Sequence, residues 1–346
     1  MDGEILFERR GRIGLVTLNR PAALNALNQA MVEALSAALR DCAADEAVAA
    51  VIVRANGRAF CAGGDIRHAH DIGREGPPAY EFFRHEYRLN AQIHHFPKPY
   101  VALIDGFVMG GGAGISIHGS HRVFAEGAVF SMPETGIGFF TDVGSSYVLA
   151  RLPHEIGVYC GLTSARLARG DALHVGIATH AAPAAAFDAI VDALAGSGDV
   201  EAVLAPYRSA TTPPETLGAV DAEIARIFAT GTVDAILARL DAVEGQHAPF
   251  FGRAADAIRS KSPTSLKIVL RQIRAARALD FDDCIRLDYR IAHQILTGHD
   301  FYEGVRAALV DKDRNPRWRP ATLAEVDART VEAHFVPPAE GDLELC

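Results

Sequence analysis

Residues 100–114 read Tyr-Val-Ala-Leu-Ile-Asp-Gly-Phe-Val-Met-Gly-Gly-Gly-Ala-Gly. The run 100–105 is short and apolar, as a buried strand would be. It passes through a turn at Gly106 into a glycine cluster that opens a helix. A helix N-terminus offers unpaired N–H groups and a partial positive charge. Those are the ingredients of an oxyanion or phosphate site. Three successive glycines, Gly110, Gly111 and Gly112, cost conformational entropy and so need a reason. Close helix–strand packing is one, and close approach of backbone to a ligand is the other; the segment alone leaves both open. It is not a GxGxxG fingerprint at a first strand, and no Gly-Lys-Ser/Thr follows, which excludes a Walker loop.

Strand, turn and helix alternate on both sides of this stretch. Residues 4–18 read as two short strands around Gly11, a hairpin signal. Met31, Leu35 and Leu39 have helical spacing within 28–44. Val48–Arg54 is a β-branched run, and Asn56-Gly57 marks the turn after it. Tyr80–His95 has a helical pattern, and Val123–Phe124 and Val129–Ser131 look like short strands. This alternation favours an α/β architecture with crossover connections. Helical patterns dominate from about residue 143, Thr212-Pro213-Pro214 marks a loop or linker, and 316–338 is irregular enough to wrap across a surface. The expected organisation is a core over residues 1–200 and a helical C-terminal region over 201–346 that belongs to the same fold unit.

Composition narrows the function classes. The 346 residues are 49% hydrophobic and 22% charged, an ordinary globular balance. With 34 basic and 43 acidic residues the net charge is −9, which argues against nucleic acid as partner. The five cysteines (Cys42, Cys61, Cys160, Cys284, Cys346) are scattered and form no CxxC pair. That pattern argues against a disulfide framework or a zinc site and fits a reducing cytoplasm. The N-terminal residues lack the layout of a signal peptide, and no stretch of 18 uncharged apolar residues predicts a membrane span.

Two further segments carry chemistry. Phe60-Cys61-Ala62-Gly63-Gly64-Asp65 follows a strand and turn, and its paired glycines either make a tight turn or bring backbone N–H groups close to a ligand. In Ser131–Ser146, Glu134 and Asp142 stand eight residues apart among Gly, Pro and apolar residues. A carboxylate in apolar surroundings has its pKa raised and can act as base or acid. Asp142 has a structural alternative as N-cap of a helix beginning at Val143, whereas Glu134 has no comparable one. Other reactive types fit less well: Ser145-Ser146 lacks the GxSxG elbow, His94-His95 reads as a helix-end pair, and Cys61 as a small buried thiol. Arg271, Arg274 and Arg277 read as a solvated helix face.

In order and spacing these motifs resemble the crotonase (enoyl-CoA hydratase/isomerase) superfamily. The match runs from Val16-Thr17-Leu18-Asn19-Arg20-Pro21 and Ala23-Leu24-Asn25-Ala26-Leu27 through residues 60–65 and 106–114 to Met132-Pro133-Glu134. The resemblance implies a crotonase-like spiral of ββα turns with helical C-terminal elements, assembly into trimers or hexamers, and acyl-CoA substrates. CoA would enter as part of the substrate, with no separate cofactor and no metal. The resemblance also makes the N–H groups of Gly64 and Gly111 an oxyanion hole. Hydratases of the superfamily use two glutamates; one position is Glu134, and the other is Gly114 here. Water addition wants an acid and a base, so this chain looks poorly equipped for it.

Longer blocks resemble the branch that hydrolyses short 3-hydroxyacyl-CoA thioesters such as 3-hydroxyisobutyryl-CoA, as in valine breakdown. They include Phe140-Thr141-Asp142-Val143-Gly144, Gly176-Ile177-Ala178-Thr179-His180, Ser262-Pro263-Thr264-Ser265-Leu266-Lys267 and Gly298–Ala307. The resemblance makes Glu134 and Asp142 the catalytic carboxylates and places Glu86 at the substrate. Glu134 would attack the thioester or activate water; Asp142 would orient water or bind the substrate hydroxyl. Ala23, Asn25, Ala62 and Asp65 would lie along the CoA. The alternatives are an enoyl-CoA hydratase or isomerase working with Glu134 alone, and a non-catalytic acyl-CoA-binding subunit.

Overall fold

Ten strands carry the first half of the architecture: β1 (Ile5–Arg10), β2 (Ile13–Leu18), β3 (Ala50–Ala55), β4 (Ala59–Cys61), β5 (Tyr100–Ile104), β6 (Phe107–Met109), β7 (His121–Phe124), β8 (Val129–Ser131), β9 (Leu167–Ala168) and β10 (His180–Ala181). They come from a computed structural model that describes residues 3–208 and 212–345. One sheet has the order β1-β2-β3-β5-β7-β10 and a second the order β4-β6-β8-β9. β1 and β2 form the expected antiparallel hairpin around Gly11, pairing Ile5 with Leu18 and Arg10 with Ile13.

The pattern from β3 onward is a repeat of one strand in each sheet. β3 enters the large sheet and β4 the small one; β5 and β6 repeat this, and β7 and β8 repeat it again. β3, β5 and β7 pair parallel, as do β4, β6 and β8, so the two sheets grow in step. This is the ββα spiral the sequence motifs imply. The continuous apolar runs of β3 and β5 follow from it, because a parallel strand is covered on both faces. One face packs Ile13, Leu15, Ile52, Val101, Leu103 and Val123 against Ile190, Val191 and Leu194 of the Phe187–Ser197 helix.

β9 and β10 lie in the region where helical patterns predominate. Each has only two residues, too few for strand alternation to register. Thr212-Pro213-Pro214 is irregular, as expected, and Cys346 lies outside the described residues, as do Met1 and Asp2.

The chain forms two compact units from interleaved segments. The first comprises residues 1–64, 88–131 and 166–218 and holds both sheets. The second comprises residues 65–87, 132–165 and 219–346 and is helical in its described residues. Its Pro263–Ala276 helix starts with Pro at its first position and with Ser262 as N-cap, accepting from the Ser265 N–H at 3.1 Å. The Phe281–Ile295 helix is capped by Asp280 in the same way. Residues 316–338 pass along the former helix: Lys267 donates to the Val326 carbonyl at 2.7 Å, and Arg271 pairs with Glu332 at 2.9 Å. Arg271 and Arg274 of that helix and Arg277 just after it are thus tethered rather than merely solvated, with Arg274 donating to the Gly231 carbonyl and Arg277 to Glu155. No described helix is long and apolar enough to cross a membrane.

Gly106 shows how tightly the glycine turns are built. Its φ is +71°, and a Cβ there would lie 2.2 Å from the Arg58 carbonyl oxygen. Gly106→Ala should cost about 2–4 kcal/mol from steric overlap and left-handed strain. Urea unfolding would show this as a lower midpoint with an unchanged slope.

Candidate active site

Two glycine turns of the first unit follow neighbouring strands of the small sheet. Residues 62–64 follow β4, and 110–112 follow β6. Gly63 has φ +123°, and a Cβ on it would approach the Met109 carbonyl at 3.6 Å and the Gly111 nitrogen at 3.9 Å. Gly112 packs on the other turn, where a Cβ would sit 2.3 Å from the Cys61 carbonyl oxygen. The structure therefore brings the two turns against one another. Gly110 has φ +48° and ψ −123°, backbone that favours glycine, and Gly111 begins the short helix Gly111–Gly114. As a first helical residue, Gly111 has an N–H with no acceptor inside the helix. Gly64 bridges to Leu27, whose N–H donates to the Gly63 carbonyl at 2.8 Å. Cys61 is buried and outside any disulfide among the described residues, as are Cys42, Cys160 and Cys284.

The turn at residues 20–26 has a distinct role for Asn25. Its side chain is fully buried, accepts from the Arg20 N–H at 2.8 Å, and donates to the carbonyls of Asn56 and Ala59, both at 2.9 Å. Leu24 and Asn25 both have positive φ, a conformation these bonds stabilise. Asn25 thus fixes the turn that carries the half-buried Ala23, and Leu24 in turn accepts from the Ala62 N–H at 3.0 Å. Asp65 caps the Ile66–Glu75 helix, accepting from the His68 N–H at 3.2 Å.

The second unit gathers the carboxylates. Glu86 lies on the Tyr80–His94 helix, Glu134 opens a 3₁₀ turn over Glu134–Ile137, and Asp142 follows Phe140-Thr141. Their exposures are 2%, 6% and 4%. The Tyr87 hydroxyl donates to Asp142 Oδ2 at 2.8 Å. Asp142 is not the N-cap of the helix Ser145–Leu149; Gly144 occupies that position, which leaves the Asp142 carboxylate available for Tyr87. Glu86 Oε1 and Glu134 Oε2 are buried with no hydrogen-bond partner among the described residues. Phe83, Phe139 and Phe301 pack as an aromatic cluster, with ring centroids 5.3 and 5.5 Å from Phe139.

Electrostatics follow from this burial. Loss of water pushes the Asp142 carboxyl from its ordinary 3.8 up to about 7, although the Tyr87 hydrogen bond pulls it down. Burial drives Glu134 well above the carboxylate range, and the negative charge of Asp142 drives it further; Lys261 offsets only part. Glu86 moves the same way, through burial and then Asp142. Tyr87 and Lys261 carry no motif of their own in the sequence. Tyr87 follows Glu86 directly, but its partner is 55 residues away. His94 and His95 form an edge-on ring pair, and no group of three potential metal ligands occurs among the described residues.

The raised Asp142 pKa has a signed consequence for stability. The folded protein retains a proton that the unfolded chain releases near pH 4, so stability falls as pH rises toward 7. Asp142→Asn cannot ionise and escapes this loss. Its melting temperature should exceed the wild type's by about 2 °C or more at pH 8, and by less at pH 5. Thermal unfolding followed by circular dichroism at both pH values checks the sign.

Comparison with known proteins places this geometry. The enoyl-CoA hydratase/isomerase family matches residues 13–335. The mitochondrial 3-hydroxyisobutyryl-CoA hydrolase of Danio rerio is 40% identical over 99% of this chain and 92% of its own length. The Homo sapiens protein of that name is 37% identical over 99% and 91%. Among solved structures, an enoyl-CoA hydratase from Rhodobacter sphaeroides superimposes with a TM-score of 0.92 at 40% identity, covering 99% of this chain and 100% of the other. A carnitinyl-CoA dehydratase from Mycobacterium thermoresistibile gives the same TM-score at 39% identity, covering 98% of each. The relatives named here as hydrolases are mitochondrial, so the expected cytoplasmic location draws no support from them. With the stepwise two-sheet spiral, the glycine turns and the family match in hand, the chain belongs to the enoyl-CoA hydratase/isomerase family.

Proposed function

We propose that this protein hydrolyses the thioester of 3-hydroxyisobutyryl-CoA, or of a similar short 3-hydroxyacyl-CoA, to the free acid and CoA. The observation that carries the reading is the pair Glu134 and Asp142, buried in one unit with raised pKa values and with Glu134 Oε2 unpartnered. The whole-length similarity to proteins named 3-hydroxyisobutyryl-CoA hydrolase supports the same substrate.

In this reading the thioester oxygen accepts from the N–H groups of Gly64 and Gly111, which stabilise charge as it develops on that oxygen. Glu134 supplies the carboxylate that meets the carbonyl carbon, directly as nucleophile or through a water it deprotonates. Asp142, held by Tyr87, binds the substrate hydroxyl or orients the water, and Glu86 lines the acyl group. A buried carboxylate that expects a hydroxyl discriminates against acyl groups lacking one, because it is then left unpaired. Ala23, Asn25, Ala62 and Asp65 belong to the turns along which CoA would lie, with Asn25 acting through the backbone it fixes. CoA is part of the substrate, and the reaction needs no further cofactor. A trimeric or hexameric assembly is part of the proposal, as is a cytoplasmic location, which suits cysteines that form no disulfide among the described residues.

The solved relatives titled hydratase and dehydratase favour a second reading, addition or removal of water across a double bond. Against it stands Gly114, buried at the end of the Gly111–Gly114 helix at the position where superfamily hydratases carry their other glutamate.

A thiol-release assay over C3–C6 acyl- and hydroxyacyl-CoAs tests the reading. Free CoA should appear fastest from 3-hydroxyisobutyryl-CoA, and Glu134→Gln should lower kcat by about 10²–10⁴-fold. Loss of crotonyl-CoA absorbance without CoA release supports the hydratase reading instead, and full thiol release by Glu134→Gln sinks the hydrolase one. The pH profile adds a second check. If Asp142 acts ionised, kcat/KM rises through about pH 7, and Tyr87→Phe, which removes the donor to Asp142, moves that inflection to higher pH.

A further inference from the structure

Asp142 sits in a strained peptide. Val143, directly after it, is fully buried and has φ +56°, a region that β-branched residues rarely enter. Gly144 follows at φ +71°. Backbone of this kind persists only where its surroundings over-determine it, and such strain concentrates at functional sites. Two long-range ties supply the constraint. The Gly144 N–H donates to Asp288 Oδ2 at 2.7 Å. Gln272 Nε2 donates to the Thr141 carbonyl at 3.0 Å and to Asp288 Oδ1 at 2.7 Å, and the Thr141 hydroxyl donates to Gln272 Oε1 at 3.1 Å. Thr141, Gln272 and Asp288 are all fully buried.

Asp288 is costly at this position. It is an acid inside the helical unit, and it sits close enough to Asp142 to feel its negative charge. Its helix needs no such residue for its own hydrogen bonds, being capped by Asp280. Both oxygens of Asp288 are committed to the clasp: one holds the backbone after Asp142, and the other holds the glutamine that grips the backbone before it. The ties bracket Asp142 on both sides and leave its carboxylate to Tyr87.

We infer that Asp288 is a positioning residue for the reaction: through Gln272, Thr141 and Gly144 it locks residues 141–144 in the strained form that holds the Asp142 carboxylate in place. It touches no substrate and acts through Asp142, so the inference rests on the hydrolase reading given above. Misplacement of a catalytic group by about 1 Å can cost 10²-fold in rate.

The test is a mutant cycle on the full-length protein with the acyl-CoA that the wild type cleaves fastest. Asp288→Ala should lower kcat about 10–100-fold while KM changes less than about 3-fold. Asp288→Asn keeps an acceptor for the Gly144 N–H but loses the one for Gln272 Nε2, and should recover part of that loss. In an Asp142→Asn background, Asp288→Ala should change kcat less than about 2-fold, because the residue it positions is already gone. A general structural role would instead multiply the two effects, and that result overturns the inference, as does a folded Asp288→Ala with wild-type kcat. If Asp288→Ala does not fold, Thr141→Val, which cuts the hydroxyl tie alone, should lower kcat in the wild type and leave it unchanged in the Asp142→Asn background. A wild type that cleaves no thioester defeats the hydrolase reading separately. The clasp is then read from the Gly144 amide in ¹⁵N-glycine-labelled protein: its exchange should speed up in Asp288→Ala, which removes the acceptor, or in Thr141→Val where Asp288→Ala does not fold, and unchanged exchange in the folded variant overturns it.

Discussion

Five carboxyl groups are buried among the described residues of one helical unit. Asp300 is held by Ser262 and the Arg319 N–H, whereas burial drives Glu86, Glu134, Asp142 and Asp288 upward, and Lys261, the cation that acts on Glu134, compensates it only in part. Moving a charge out of water is expensive, and an acid so placed holds its proton more tightly instead. Much of the unit's construction is explained by this constraint. The Tyr87 hydroxyl satisfies one oxygen of Asp142; Gly144 and Gln272 satisfy the two of Asp288. The buried aromatic cluster around Phe139 reaches the tyrosine that serves Asp142, with the Phe83 and Tyr87 rings 6.0 Å apart. Glu134 Oε2 and Glu86 Oε1 remain unsatisfied, and buried polar atoms without partners are what a binding or catalytic site leaves for its ligand.

The first unit meets a different constraint, the close packing of one glycine turn against another. Its two sheets grow one strand at a time, so turns after successive strands recur at regular intervals. Glycines occupy those turns because side chains would not fit: a Cβ at Gly112 or Gly106 would collide with the carbonyl of Cys61 or Arg58. Close packing and ligand approach, which the triplet Gly110-Gly111-Gly112 left open, are therefore compatible. Gly112 serves packing, and Gly110 turns the chain so that the helix can start at Gly111.

Local pattern made the strands β1, β2, β3, β5, β7 and β8 and the long helices legible, because each has its own periodicity or bounding glycines. Glu134 was legible by elimination, as a carboxylate in an apolar turn with no capping role. Asp142 was ambiguous, since a helix follows it, and only the backbone shows that Gly144 takes the cap. Asn25 appeared as part of a substrate-facing motif, but its amide proves to be the bolt of its own turn. Tyr87, Lys261, Gln272 and Asp288 were not legible. Their roles depend on partners dozens to more than a hundred residues away, such as Gly144 for Asp288, and no spacing rule reaches that far. The strands β4, β6, β9 and β10 escaped for the opposite reason: they have two or three residues each, too few to carry a period, and β4 and β6 run straight into the glycine turns.

Burial, more than any ion pair, sets the protonation of these carboxyl groups. A ¹³C NMR titration of the carboxyl carbons in Asp- and Glu-labelled protein, with Asp142→Asn and Glu134→Gln used for assignment, measures this directly. The expected result is an Asp142 midpoint near 7 and a Glu134 midpoint well above the ordinary carboxylate range. Midpoints for both near 4, as for carboxylates in water, would contradict it.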